Sequence, residues 1–550
     1  MTAVFATTTI EVELSGAGSG WTDISADVMP GIKCAYAIRD NKPTSRIADT
    51  GYLQFNLNNS ITNSGGKNGY YSPGHTDARS GFDSGIGCRI KFVYEAYTKY
   101  KFKGRIIPGG ITPAPGSKGA RITEIRVHGW FEQAAKHKMD MPTFVENKSF
   151  DEIAALIVAN MDAGVRPANT EYNDGVTEHA TIFDTLKKTT TAYTELYKSA
   201  LAELGYAYPK GDITDGQTLT IDGRNTRGLQ STVHQLILGK DSSGFLLKED
   251  GGFLLKEDGG KILIDEAQDA TLTALTGMDA PKRGKDIYNA ITTKTYPRRV
   301  DAAATTILWT LNNYIEIAAG ITKEPFKAYF RDPSNLATTV GAKDVQDPVA
   351  TDDYLMNASS DGGGADMTAN LTVTLNKTGS NGVEIILEND AGSTGYVTFL
   401  QILGKGIYTY EPVEYTITDS ASITKHGTIE LKLDMKYSDS PTYGESIGAL
   451  LLDQYKDSAS MPKRFYYNAN RSDLYMYAFL MLEPGYRFYT SEDQTGVGDD
   501  YIVNGFEFEI LENGIINFAI VPAIFTSEGD KWYLGIAGRS ELGVTTKLGA

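Results

Sequence analysis

Two cysteines in 550 residues, Cys34 and Cys88, exclude a disulfide framework and leave too few thiolates for a four-cysteine zinc site. Both are expected as reduced, structural thiols. Histidine is nearly as scarce. His75, His128, His137, His179, His234 and His426 show no i, i+4 pair and share no spacing with cysteine, so neither a metal site nor a bound cofactor is expected. No phosphate-cradling Gly-Lys-Ser/Thr loop is present, which removes the P-loop nucleotide enzymes. No run approaches the ~20 apolar residues of a membrane helix, and Met1 to Leu14 lacks a basic region followed by an apolar core. The chain is expected to be made without a signal peptide. Cations are outnumbered, 52 against 69 acids for a net charge of −17, which opposes sequence-independent binding to phosphate backbones.

What is abundant points to β-structure. The chain has 57 glycines, 32 tyrosines and threonine throughout, a mixture suited to short strands joined by tight turns. Its length predicts several domains. The expected fold is mainly β and multidomain, with barrel- and sandwich-like β-domains and a small inserted α/β domain. Residues 1–145 read as an N-terminal barrel or sandwich, with period-two strands at Thr9 to Leu14, Ile32 to Ile38, Gly51 to Leu57, Ile90 to Tyr94, Tyr100 to Ile106 and Arg121 to Trp130. Residues 146–240 read as the α/β domain. Ser149, with Glu152 three residues on, starts a helix through Ile153, Leu156, Ile157 and Met161, and a second helix over Tyr193 to Leu204 is ended by Gly205.

Residues 241–268 hold a direct repeat, GFLLKEDG twice and then GKILIDEA. A four- or five-residue strand plus a glycine turn consumes about that period, so a three-strand meander is expected. Phe245 and Leu247, repeated as Phe253 and Leu255, share one face. Such a unit cannot bury itself alone, so it packs on a neighbouring domain or meets another subunit. Residues 269–425 read as strands with an inserted β-sandwich, 426–522 as a C-terminal β-domain with a helix over Ser446 to Tyr455, and 523–550 as a less regular tail.

One catalytic pattern stands out. Gly444-Glu445-Ser446-Ile447-Gly448 matches the G-x-S-x-G nucleophile elbow. A hydrolase of that kind places its histidine after the serine, and the last histidine here is His426. Ser446 is therefore read as a helix cap, no catalytic residue is assigned, and the chain is not expected to be an enzyme. The acidic groups Asp344, Asp347, Asp352, Asp353 and Asp361, Asp366 lack calcium-loop order and are read as solvated turns.

A run of phrases resembles the start of phage minor tail and baseplate hub proteins. Trp21-Thr22-Asp23-Ile24-Ser25-Ala26-Asp27-Val28 is similar to their "tDit.dV", Gly51 through Leu57-Asn58-Asn59 to their "a.l.L.N" strand, and Tyr71-Ser72-Pro73 to their "ySP". Ile90-Lys91-Phe92, Phe102-Lys103-Gly104-Arg105-Ile106 and Val127-His128-Gly129-Trp130 follow in the family's order, and looser phrases extend to Leu542 through Leu548. The resemblance implies a structural protein of the virion at the tail tip, synthesised in the host cytoplasm. It implies a homo-oligomeric ring, a trimer, that continues the tail tube and lets DNA pass. Its partners would be tail tube or distal tail proteins, tip or fibre proteins and the host envelope, with no specific nucleic-acid binding. An acidic surface suits a channel through which DNA slides. A receptor- or carbohydrate-binding adhesin is the alternative, and a tail-associated hydrolase acting through Ser446 a third.

Overall fold

Period-two alternation buries one face of each N-terminal strand and leaves the other wetter, which sets the register of the sheet they form. The structure is a computed structural model and describes residues 3–524, apart from 15, 17, 19, 116–120, 144, 185, 187–188, 228–269, 281–286 and 458–461. Strands run over Thr7–Val12, Val28–Ala37, Tyr52–Asn58, Gly87–Tyr94, Tyr97–Pro113 and Ile122–Gly129, each overlapping a stretch where the sequence predicts one. In Tyr52–Asn58 the alternation is complete: Leu53, Phe55 and Leu57 are buried, and the residues between them are half-buried.

The sheet continues into the far end of the chain. Val497–Ile510 pairs antiparallel with Val28–Ala37, Phe506 opposite Tyr36 and Phe508 opposite Cys34, and in turn carries Ile516–Ile524. The result is a sheet of 13 strands ending at Thr22–Asp23 and Gly277–Met278. The sequence predicts 1–145 and 426–522 as separate domains, whereas here their strands share hydrogen bonds and a core. Phe92 packs edge-on against Phe479 at 4.9 Å, Phe479 against Phe508 at 5.4 Å, and Phe506 stacks on Phe518 at 5.6 Å. Four of these five rings come from the C-terminal segment, and Phe92 ties the N-terminal strands into their cluster. The sheet is open, and no barrel closes among the described residues.

The small α/β unit packs beside it. The Phe150–Asn160 helix starts as expected, the Glu152 carboxylate accepting from the Ser149 N–H at 3.1 Å. The Ala192–Glu203 helix ends differently from the expectation. Leu204, not Gly205, takes the left-handed conformation, with φ of 62°. Gly205 is required for space instead, because a Cβ there would run into the Phe150 ring and the Asp222 carbonyl. Strand Gln217–Asp222 lies between Asn169–Tyr172, parallel, and Tyr206–Gly211, antiparallel.

Residues 298–409 form the inserted sandwich. The long Gly395–Thr409 strand pairs with five short ones, and Gly382–Asn389 pairs with Phe326–Tyr329 and Leu371–Gly379. Leu308, Ile317, Phe330, Val383, Ile385, Val397 and Ile402 make a core between the two sheets. The stem is a three-stranded sheet with Ala290–Thr295 between Val413–Thr418 and Glu430–Asp434, covered by the Pro441–Tyr455 helix. The fold is mainly β and multidomain.

Candidate functional site

Three of the phrases that carry the family resemblance meet at one corner of the large sheet. Asp27, almost fully buried, accepts from the Ser64 N–H at 2.6 Å and from the Tyr71 hydroxyl at 2.5 Å. The Tyr71 N–H donates to Asn59 Oδ1 at 2.8 Å, Asn59 Nδ2 donates to Ser72 Oγ at 2.7 Å, and Arg79 Nη1 donates to the Tyr71 hydroxyl at 2.9 Å. Burial, then the Asp27 carboxylate, push the Tyr71 phenol well above its ordinary pKa. Phe82 and Tyr70 each meet the Tyr71 ring edge-on at 5.1 Å. A long loop is thereby fixed between the Tyr52–Asn58 and Gly87–Tyr94 strands. Buried acceptors matched to buried donors hold one conformation, since any other leaves a polar group unpaired.

A second polar centre joins three parts of the chain. Glu483 lies beyond the Asp473–Met481 helix and is fully buried. Its carboxylate accepts from Lys101 Nζ at 2.7 Å, from the Tyr36 hydroxyl at 3.0 Å and from the Gly211 N–H of the α/β unit at 2.9 Å. Lys101 also donates to the Leu482 carbonyl at 3.0 Å and stands 4.3 Å over the Phe506 ring. Burial lowers the Lys101 ammonium to a pKa of about 8, against the pull of Glu483. Nearby, Arg89 donates to Glu11 at 2.6 Å and to Asp215 at 2.8 Å, its guanidinium 4.0 Å from the Trp21 ring and 4.4 Å from Tyr100. Sequence reading missed both centres. Lys99, Lys101 and Lys103 alternate with aromatics and so look like a water-facing row.

The sandwich is held to the body by polar contacts. Arg298 pairs with Asp184 at 3.0 Å, both buried, and donates to the Lys436 carbonyl at 2.7 Å. Ser380 Oγ donates to the Phe183 carbonyl at 2.7 Å and Asn381 Nδ2 to the Leu186 carbonyl at 2.9 Å. Lys327 and Lys377 both reach Asp140.

Ser446 is neither an elbow nor a cap. The helix starts earlier, at Pro441, and its cap is Ser440, which accepts from the Tyr443 N–H. Ser446 lies in the second turn and donates to the Thr442 carbonyl at 3.1 Å. The two glycines of the pattern serve packing. A Cβ on Gly444 would come 2.7 Å from Thr295 Cγ2, and one on Gly448 3.3 Å from Ile417 Cγ2, so glycine lets the helix lie close on the stem sheet. The acidic groups hold turns: Asp353 accepts from the Val349 N–H, Asp361 from Gly363 and Asp366 from Thr368. Among the described residues no cluster of three or more His, Cys, Asp or Glu is arranged to hold a metal, and no helix is long and apolar enough to cross a membrane. Cys34 and Cys88 are free and buried. The repeat, with Phe245, Leu247, Phe253 and Leu255, lies outside the described residues.

Comparison with protein-family models and with curated proteins finds no match. Among solved structures, the chain is similar to the 43 kDa tail protein of prophage MuSo2 from Shewanella oneidensis, at 8% identity and a TM-score of 0.43 over 94% of this chain and 98% of that one. A tail protein from Neisseria meningitidis MC58 gives 9% identity and a TM-score of 0.40 over 94% and 96%. The prophage tail protein gp18 from Listeria monocytogenes EGD-e gives 8% identity and a TM-score of 0.37 over 93% and 94%.

Proposed function

We propose that the chain is a structural, non-enzymatic component of a phage tail, a hub-like protein at the tail tip. As a ring of copies it would continue the tail tube, anchor tip or fibre proteins and let DNA pass. The corner around Asp27 carries the reading. Three phrases picked out for their family resemblance supply Asp27, Asn59 and Tyr71-Ser72, and these residues bond to one another across up to 44 positions of sequence. A set of phrases that builds one fixed corner is a structural signature rather than a chance match of strand composition.

One further feature supports a ring, and another suits DNA passage. The outer side of the Val413–Thr418 strand has no strand partner among the described residues, and identical subunits around a closed axis can pair such edges. The net charge of −17 disfavours DNA sticking to the protein. A trimer is proposed on the resemblance. Imaging of purified protein and of intact tails should show ring-shaped homo-oligomers on the tail axis. A strictly monomeric mass at micromolar concentration, together with absence from purified virions, refutes the proposal. The adhesin reading draws on the sandwich, where Tyr314 is 54% exposed and meets Tyr396 edge-on at 5.7 Å. Aromatic faces of this kind stack on sugars, and a peripheral position in the tail would favour it.

A further inference from the structure

A cleft of about 360 Å³ opens where the large sheet meets the α/β unit, a volume within the range of roughly 300–1,000 Å³ typical of ligand sites. One wall is apolar, with Trp130, Phe131, Pro167 and Leu219. Trp130 is fixed there by its indole N–H, which donates to the Val165 carbonyl at 2.9 Å. The charged lining is cationic, Lys103, Arg105 and Arg166 against Glu13 alone, in a chain whose net charge is −17.

The two arginines are held without being neutralised. Arg105 Nη2 donates to the Gly164 carbonyl at 2.7 Å, and Arg166 donates to the Met161 and Ala159 carbonyls at 2.7 and 2.6 Å. Neither forms an ion pair among the described residues, unlike Lys103, which is paired with Asp215. Carbonyl anchors orient a guanidinium and leave its charge and remaining N–H groups available to a carboxylate. An inorganic anion would satisfy the cations and leave the apolar wall bare. A peptide with an apolar side chain next to a carboxylate would cover both.

We infer that this cleft is a docking site for an acidic peptide segment of another protein, an apolar residue seated against Trp130 and an adjacent Asp or Glu carboxylate bound by Arg105 and Arg166. The inference stands independently of the tail reading, since it rests on the cleft alone. The test uses the full chain and a fluorescein-labelled peptide alternating Leu with Asp and Glu, read by anisotropy, with an otherwise identical peptide carrying Asn and Gln as the control. The acidic peptide should bind at least about tenfold more tightly than the neutral one, and Arg105→Gln with Arg166→Gln should remove that preference. If the double variant unfolds, Gln133→Glu, which adds a negative charge to the cleft lining without touching either arginine's anchor, should weaken the acidic peptide and leave the neutral one unchanged. Equal binding of the two peptides, unchanged binding in both variants, or displacement by inorganic phosphate at equal affinity would each overturn the inference.

Discussion

Removing one partner of the Lys101–Glu483 pair should cost far more than removing both. Both side chains have essentially no solvent exposure, at 0% and 1%. Glu483→Gln keeps an oxygen for Tyr36 and Gly211 but strands the Lys101 ammonium in the core, and Lys101→Met leaves the carboxylate Lys99, 3.6 Å away, as its cationic partner. Glu483→Gln leaves an uncompensated buried charge, worth about 3–5 kcal/mol of destabilisation, and Lys101→Met should cost less because Lys99 still faces the carboxylate. The double variant Lys101→Met with Glu483→Gln keeps the acceptor for Tyr36 and Gly211 and removes both charges, so it should cost only about 1–2 kcal/mol. Hydrogen exchange is the suited assay because it reads stability locally. Amides of residues 101, 211 and 506 should exchange about a hundredfold faster or more in Glu483→Gln, at ~1.4 kcal/mol per tenfold, less so in Lys101→Met, and recover most of their protection in the double. Additive single effects would refute the claim that the pair acts as a unit. The pH dependence has a definite sign. With its folded pKa lowered to about 8 from 10.5, Lys101 binds its proton less tightly when folded, so stability contributed at this site rises between pH 8 and 10.5. Tyr36, Tyr208 and Tyr437, pushed up by burial and then by neighbouring carboxylates, act the other way above pH 10. The rise should therefore be visible from pH 8 to about 10 and absent in Lys101→Met.

Three other outcomes follow from the geometry. His179 is buried, and burial, with Arg298 nearby, lowers its pKa to about 4 from 6.5; stability should fall as pH drops from 6.5 to 4, by up to about 3 kcal/mol, and His179→Gln should remove that slope in acid-unfolding curves. Gly444→Ala gains about 1 kcal/mol of helix propensity yet should lower Tm, because its Cβ would press on Thr295 at a cost of about 1–3 kcal/mol, whereas Ser446→Ala should leave Tm almost unchanged. Asp27→Asn removes the charged acceptor shared by Ser64 and Tyr71; limited proteolysis should then cut within 59–86 at least tenfold faster, and an unchanged rate would mean that the corner does not hold the loop.

Sequence alone determined the strand-rich character, most strand positions and the start of the Phe150–Asn160 helix. These follow from local rules, alternation with period two and a serine with glutamate three residues on, and local rules act through neighbours in the chain. The inserted sandwich was legible for the same reason, because its strands alternate and its core closes on itself. What joins distant segments was decided only by the tertiary structure. Nothing in residues 28–37 announces that Val497–Ile510 will pair with them, because an edge strand accepts any partner of matching face. The Lys99, Lys101 and Lys103 row obeys the alternation of a solvent face, yet the Asp473–Met481 helix and the α/β unit close over it and Glu483 supplies the missing charge. Gly444, Ser446 and Gly448 spell a nucleophile elbow as letters, and only the helix lying on the stem sheet shows that the glycines are there for close approach. Asp27, Asn59 and Tyr71 stand in three separate stretches of the sequence, and the fold brings them into one hydrogen-bonded corner, where burial makes each depend on the others.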